Sequence, residues 1–325
     1  MLDTIRSRSA RAGRRVFGLR PPPGGVVLVY HRIAELASDP QCLAVSPQHF
    51  AEHLAAIAKH GVPLALPAML QQARAGRLPP RAVAVTFDDG YADNFHAAAP
   101  MLAAAGVPAT MFVSTSAVAR GEEFWWDRIE RLVLDPGPLA DGATAAWNVT
   151  QGHVPTPRHR AYLDLCDRLR RVNRATRERL LAELPASGSV PREPRASHRP
   201  MTRDEVAALG RRAGITIGSH TESHPSLAHL TADEQRSEIA RARDWLRSVT
   251  GVEASSLAYP FGGHSDVVRR TVQIAREEGL AIACTTSAQR VTSHTDPLQV
   301  PRFIVRDWSS AAFIQQWSLW AGMEI

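Results

Sequence analysis

The chain has 325 residues, 44% hydrophobic and 22% charged, which suits one large α/β domain or two ordinary ones and excludes disordered and fibrous classes. Its net charge of +6 is concentrated at one end: residues 1–20 hold six arginines against Asp3 alone, leaving the rest near neutral and excluding a nucleic-acid-binding body. Cys42, Cys166 and Cys284 are far apart and odd in number, which excludes a disulfide framework and a cysteine zinc site.

The arginine-rich lead is followed by Pro21-Pro22-Pro23-Gly24-Gly25, a stiff turn that divides residues 1–25 from a body at 26–325. The lead contains no apolar h-region of the kind that marks a secretory signal, and no stretch reaches the roughly 18 apolar residues of a membrane span. The expectation is a cytoplasmic protein, with residues 1–20 either a solvated, partly disordered tail or a peripheral contact with the anionic inner face of the membrane.

Val26 to Tyr30 reads as the first buried strand, and Ser46-Pro47 opens a helix with Phe50, Leu54 and Ile57 on one side. Val83-Ala84-Val85 belongs to a strand ending at Phe87. A helix over about Ala92 to Ala105 and a strand at Ala109 to Val113 follow. Residues 114–200 break the rhythm: an aromatic helix around Phe124-Trp125-Trp126, a Gly/Ala/Asp-rich loop, two arginine-rich helical patterns and a proline-rich stretch. They read as a helical insertion over one face of the body.

Thr202 with Glu205, and Thr231 with Glu234, are capping boxes. The first helix precedes a strand at Ile215-Thr216-Ile217. The second is long, with Ile239, Ala242, Leu246 and Val249 inward. Strands near Ser255 to Tyr259, Ala281 to Thr285 and Phe303 to Val305 alternate with helices over about Asp266 to Glu278 and Ser309 to Trp320. Such alternation predicts a parallel sheet or a barrel.

Three segments carry the chemistry, each just past the end of an expected strand, where α/β barrels assemble their sites. Asp88 and Asp89 are adjacent acids that are expensive to bury unless a cation or a reaction uses them. His220 and His224 add two imidazoles four residues apart. With one carboxylate they suit a catalytic zinc that keeps an open position for water. Tyr259-Pro260-Phe261-Gly262-Gly263 is a strand-end turn. Taken singly, each has a bland alternative: a helix N-cap, an incidental histidine pair, an ordinary turn.

Together, Thr86-Phe87-Asp88-Asp89-Gly90, His220-x-x-x-His224-Pro225 and Tyr259-Pro260-Phe261-Gly262 resemble, in order, three motifs of the polysaccharide deacetylase family. Leu28-Val29-Tyr30-His31-Arg32 resembles the opening of its exopolysaccharide branch. The resemblance implies a distorted (β/α) barrel of about seven strands with one divalent metal, zinc being expected. Asp89, His220 and His224 would hold it, and Asp88 would be the general base for the attacking water. The Phe261 N–H would serve the developing oxyanion. Tyr259 and Pro260 are the expected substrate-binding residues.

Two departures stand out. The family's third motif commonly begins with an arginine that orients the base, and this chain has Ala258 there; Arg302 is the candidate substitute. The family's late Leu-x-His acid motif is absent, and His31 takes the acid role by resemblance to a permuted form, ahead of His264 and His294. The expected activity is removal of N-acetyl groups from an amino-sugar glycan or a lipid-linked precursor. The alternatives are an O-acetyl esterase or other amidohydrolase on the same barrel, and a non-catalytic glycan-binding domain.

Overall fold

The structure is a computed structural model that describes residues 24–134, 156–184 and 193–322. The basic lead at 1–20 lies outside the described residues, as do the Gly/Ala/Asp-rich loop and part of the proline-rich stretch. Among the described residues, no helix is long and apolar enough to cross a membrane.

Ten strands appear in chain order: β1 (Val26–Tyr30), β2 (Arg32–Ile33), β3 (Ala44–Val45), β4 (Val62–Pro63), β5 (Ala82–Phe87), β6 (Ala109–Val113), β7 (Ile215–Ser219), β8 (Ser256–Ala258), β9 (Ile282–Cys284) and β10 (Phe303–Ile304). Seven of them form one curled parallel path, β10-β1-β5-β6-β7-β8-β9; β4 pairs with β5 off that path, and β2 pairs separately with β3. The result is an open, distorted (β/α) barrel, as the alternation predicts.

The two faces of the sheet explain the near-continuous apolar runs of β1 and β5, because a parallel sheet is covered on both sides. Alternate residues face alternate sides. Val26, Leu28 and Tyr30 join Val83, Val85 and Phe87 against the outer helices Pro47–His60 and Ser310–Ala321. Val27, Ala84, Phe112, Ala258 and Cys284 face inward, over Leu66 and Met69 of the helix Leu66–Arg74, which packs beneath them.

The barrel has a seam. β9 and β10 are not paired. Cys284 instead bridges to Val300, and the chain crosses to β1, where Leu28 pairs with Phe303. Arg302 therefore enters the barrel between its first and last strands. Between β6 and β7, the helices Trp125–Val133, Pro157–Leu169 and Arg174–Ala182 gather an aromatic cluster of Phe124, Trp125, Trp126 and Tyr162 around Tyr91.

Candidate active site

Alternation carries two candidate side chains inward at the same end of the barrel. Ala84 and Thr86 precede Asp88 on the inner face, and Val27 and Val29 precede His31. The ladder continues past both strands, since the Asp88 N–H donates to the Tyr30 carbonyl and the His220 N–H to the Val113 carbonyl. Left-handed backbone then redirects the turns. Six non-glycine residues have positive φ among the described residues, and four of them are here: Asp89 (75°), Thr221 (64°), His224 (57°) and Phe261 (63°). Such conformations cost about 1–3 kcal/mol each and persist only where the surroundings enforce them. Gly262, at φ 69°, has no room for a Cβ, which would sit 2.7 Å from the Thr286 nitrogen.

Asp88 and Arg302 form a buried fork. Arg302 is fully buried and donates from Nη1 and Nη2 to the two carboxylate oxygens of Asp88, both at 2.7 Å. Its Nε donates to the Thr285 carbonyl at 3.0 Å, and Nη1 also reaches the Thr86 hydroxyl at 3.1 Å. Burial alone would raise the Asp88 carboxyl; the Arg302 charge and hydrogen bonds, with help from His220, outweigh it and hold the carboxyl below its ordinary value. Arg302 thus reaches Asp88 from the other side of the seam.

Asp89, His220 and His224 bring their ligand atoms within 4.8 Å of one another, all three buried. Asp89 Oδ1 lies 3.6 Å from His220 Nε2 and 3.4 Å from His224 Nε2, and the two Nε2 atoms are 3.1 Å apart. His220 Nδ1 is 2.8 Å from the Ala258 carbonyl. A carbonyl only accepts, so Nδ1 carries the proton and Nε2 turns a lone pair toward the trio. Burial pushes His220 down and His224 well down, and burial together with the Asp88 and Asp127 charges pushes Asp89 well up. A divalent cation would relieve all of these at once, so the donor set fits a three-ligand metal site. The turn is fixed from behind by Glu238, which accepts from the Ser223 N–H at 2.8 Å and its hydroxyl at 2.6 Å.

His31 is half-buried at the same mouth, and its ring makes no hydrogen bond among the described residues. Burial pushes it down to about 4, with Asp88 opposing and Arg306, Arg302 and His220 assisting. It rests neutral and must receive a proton before it can donate one. His264 and His294 are exposed and line a separate cleft of about 450 Å³ between the loops after β8 and β9. The Phe261 N–H meets no acceptor among the described residues. Its ring packs 4.9 Å from that of His224, opposite Trp126 at 4.6 Å.

The expectation for Tyr259 and Pro260 needs correction. With Ala258 inward, alternation turns Tyr259 outward: its ring is buried in the apolar layer with Leu227 and Leu257, and its hydroxyl donates to the Leu298 carbonyl at 3.0 Å. Pro260 is also buried, and its carbonyl accepts from Gly262 at 2.7 Å. Both shape the turn rather than present side chains to a ligand.

Sequence reading missed the wall beside the Asp89, His220 and His224 trio. Trp126 Nε1 donates to the Tyr91 hydroxyl, which donates to Asp127, both at 2.7 Å. Burial pushes Asp127 up to about 8. Asp127, Glu130 and His198 also converge within 4.8 Å, yet Arg195 contacts Glu130 at 3.4 Å and Arg32 stacks on Tyr91 at 4.1 Å. That trio is a compensated charge network. Its members are too dispersed in sequence to carry a motif.

A family model described as polysaccharide deacetylase matches residues 75–140 and 192–283. No curated protein matches the chain. Among solved structures, the Streptococcus pyogenes deacetylase PplD in complex with acetate is similar over 91% of this chain and 98% of its own, with 18% identity and a TM-score of 0.56. IcaB from Ammonifex degensii is similar over 92% and 97%, with 18% identity and a TM-score of 0.58. The BpsB deacetylase domain from Bordetella bronchiseptica is similar over 88% and 97%, with 20% identity and a TM-score of 0.55. At these identities the likeness is one of fold.

Proposed function

We propose that this chain, which a polysaccharide deacetylase model matches over residues 75–140 and 192–283, is a metal-dependent hydrolase removing N-acetyl groups from an amino-sugar glycan or glycan precursor. The observation that carries this reading is the ionised, arginine-forked Asp88 standing beside the Asp89, His220 and His224 trio, 4.0 Å from His220 Nε2. A bound divalent ion, with zinc the expected one, would polarise the acetyl carbonyl and acidify the attacking water.

The chain's own residues supply the rest. Asp88 takes the proton of the attacking water, held in place by Arg302. The Phe261 N–H, left without a protein acceptor, stabilises the oxyanion that forms on the acetyl oxygen. The proton taken by Asp88 passes by way of His31, neutral at rest, to the departing amine, and Asp88 ends ionised again. Trp126 and Phe261 flank His224 and keep water from that side of the site.

The test is acetate release from a panel of N- and O-acetylated sugars, before and after chelation. Release from N-acetyl substrates that stops with chelator and returns with zinc is the expected result. Release from O-acetyl esters alone would favour the esterase, and glycan binding without release a non-catalytic domain. His224→Ala should lose most of its metal and activity together; full metal content in that variant would remove His224 from the ligand set.

His31→Ala separates the acid role from a structural one. The variant should keep its metal yet lose about 10²-fold or more in amide hydrolysis, the usual range for acid–base catalysis. It should lose far less on an activated aryl acetate, whose leaving group needs no proton. Equal losses on both substrates would show that His31 serves folding or binding instead.

A further inference from the structure

The mechanism leaves one buried cation unused. Arg177, on the helix Arg174–Ala182, is 2% exposed. Its Nη2 donates to the Ser223 carbonyl at 2.5 Å, and its guanidinium lies 5.0 Å from the Trp125 ring centre. Nε and Nη1 are buried and meet no acceptor among the described residues. Glu238 is the acid whose charge acts most on Arg177, but both of its oxygens are taken by Ser223. Burial accordingly pulls Arg177 down to about 10.

Arg177 lines a cleft with Ser116, Arg120, Arg128 and Arg174, which holds about 30 Å³ of free space. A single water needs about 10–15 Å³, so one small ion fits. The rim arginines are already compensated: Arg120 pairs with Glu122 at 2.8 Å, Arg128 with Glu178 at 2.8 Å and Arg174 with Glu222 at 3.3 Å. Glu123, also at the cleft, is held by Arg131 and Arg195. Among these groups Arg177 alone lacks an ion-pair partner. Glu238 and Glu178 oppose its charge through space, but neither accepts from Nε or Nη1, so those two buried donors still need a ligand.

We propose that this cleft binds one small monovalent anion, a halide or a short carboxylate, on Arg177 Nε and Nη1. The site is distinct from the metal trio but coupled to it, because the same guanidinium holds the carbonyl of Ser223, the residue before His224. An occupied cleft would tighten the turn that carries this ligand. Acetate, the product of the proposed reaction, falls within the chemical class.

The metal-loaded protein is melted in sodium chloride, bromide, acetate and gluconate at equal ionic strength, gluconate being too large for the cleft. The small anions should raise Tm by about 2 °C or more, saturably, as binding to the folded state requires. Crystals grown in bromide should show an anomalous peak beside Arg177. A response to acetate without one to the halides would assign the site to carboxylates, and the converse to halides. Ser116→Asp places a carboxylate in the cleft and should abolish the anion response while leaving the protein folded; Arg177→Gln should abolish it too, and Ser116→Asp decides if that variant does not fold. Equal Tm in all four salts, or an unchanged response in Ser116→Asp, would overturn the proposal.

Discussion

Arg302→Met is expected to destabilise the protein by about 3–5 kcal/mol, the usual result of removing one partner of a buried ion pair. Arg302 is fully buried, and its fork is the only ion pair within 3 Å of Asp88 among the described residues. The sign of the pH dependence should reverse as well. In the intact protein Asp88 is held below the ordinary carboxylate range. Its pairing therefore stabilises the fold above the unfolded value of about 3.9 and is lost as pH falls through the folded value. Without Arg302, burial acts with far less opposition and the folded carboxyl rises above 3.9. The variant then binds more protons folded than unfolded, so its stability should fall as pH rises toward neutrality.

Urea unfolding at pH 5 and pH 7.5 checks this directly. The deficit of Arg302→Met relative to the parent should be larger at pH 7.5. In whatever fraction folds, the acid limb of kcat/KM should move to higher pH, because the base now ionises later. A variant as stable as the parent, with the same acid limb, would remove Arg302 from the electrostatics of the site.

Asp88→Asn and Asp89→Asn should fail differently. Asp88→Asn is expected to retain metal and lose about 10²–10⁴-fold in turnover, the range associated with a general base. Asp89→Asn should lose metal affinity and activity together, since an amide oxygen is a poor substitute for a charged ligand. Asparagine is the appropriate replacement at position 89, because it tolerates the left-handed backbone there. Metal content by mass spectrometry, beside kcat on an N-acetylated oligosaccharide, separates the two. Equal metal content in both variants would overturn the division of roles.

Much of this arrangement was legible because strands of a parallel sheet covered on both faces are written as short apolar runs, and polar residues placed immediately after such runs stand at the barrel mouth. The capping boxes at Thr202 and Thr231 form as their spacing predicts. The helix Leu66–Arg74 was not legible: its cap residue, Ala65, makes no side-chain bond and leaves no signal. Nor were β2, β3 and β4, which at two residues each are too short for a period. The helix over Ala92 to Ala105 contains a π-turn at Asn94–Ala98, which periodicity does not distinguish. Arg302 could be named, but its partner, 214 residues away, is fixed by the seam. Tyr259 was misassigned because position past a strand was read without alternation, which turns it outward once Ala258 is inward.

The seam also sets an order of events during synthesis. Asp88, Asp89, His220 and His224 precede Arg302, and 78 residues separate His224 from it. At about 5–20 residues per second, that is roughly 4–16 s of translation. During this interval the nascent chain has Asp88, Asp89, His220 and His224 but not the guanidinium that pairs with Asp88, and β1 lacks the neighbour that β10 will provide. The Asp89, His220 and His224 trio is therefore synthesised before the fold is locked, while the ion pair at Asp88 must await Arg302.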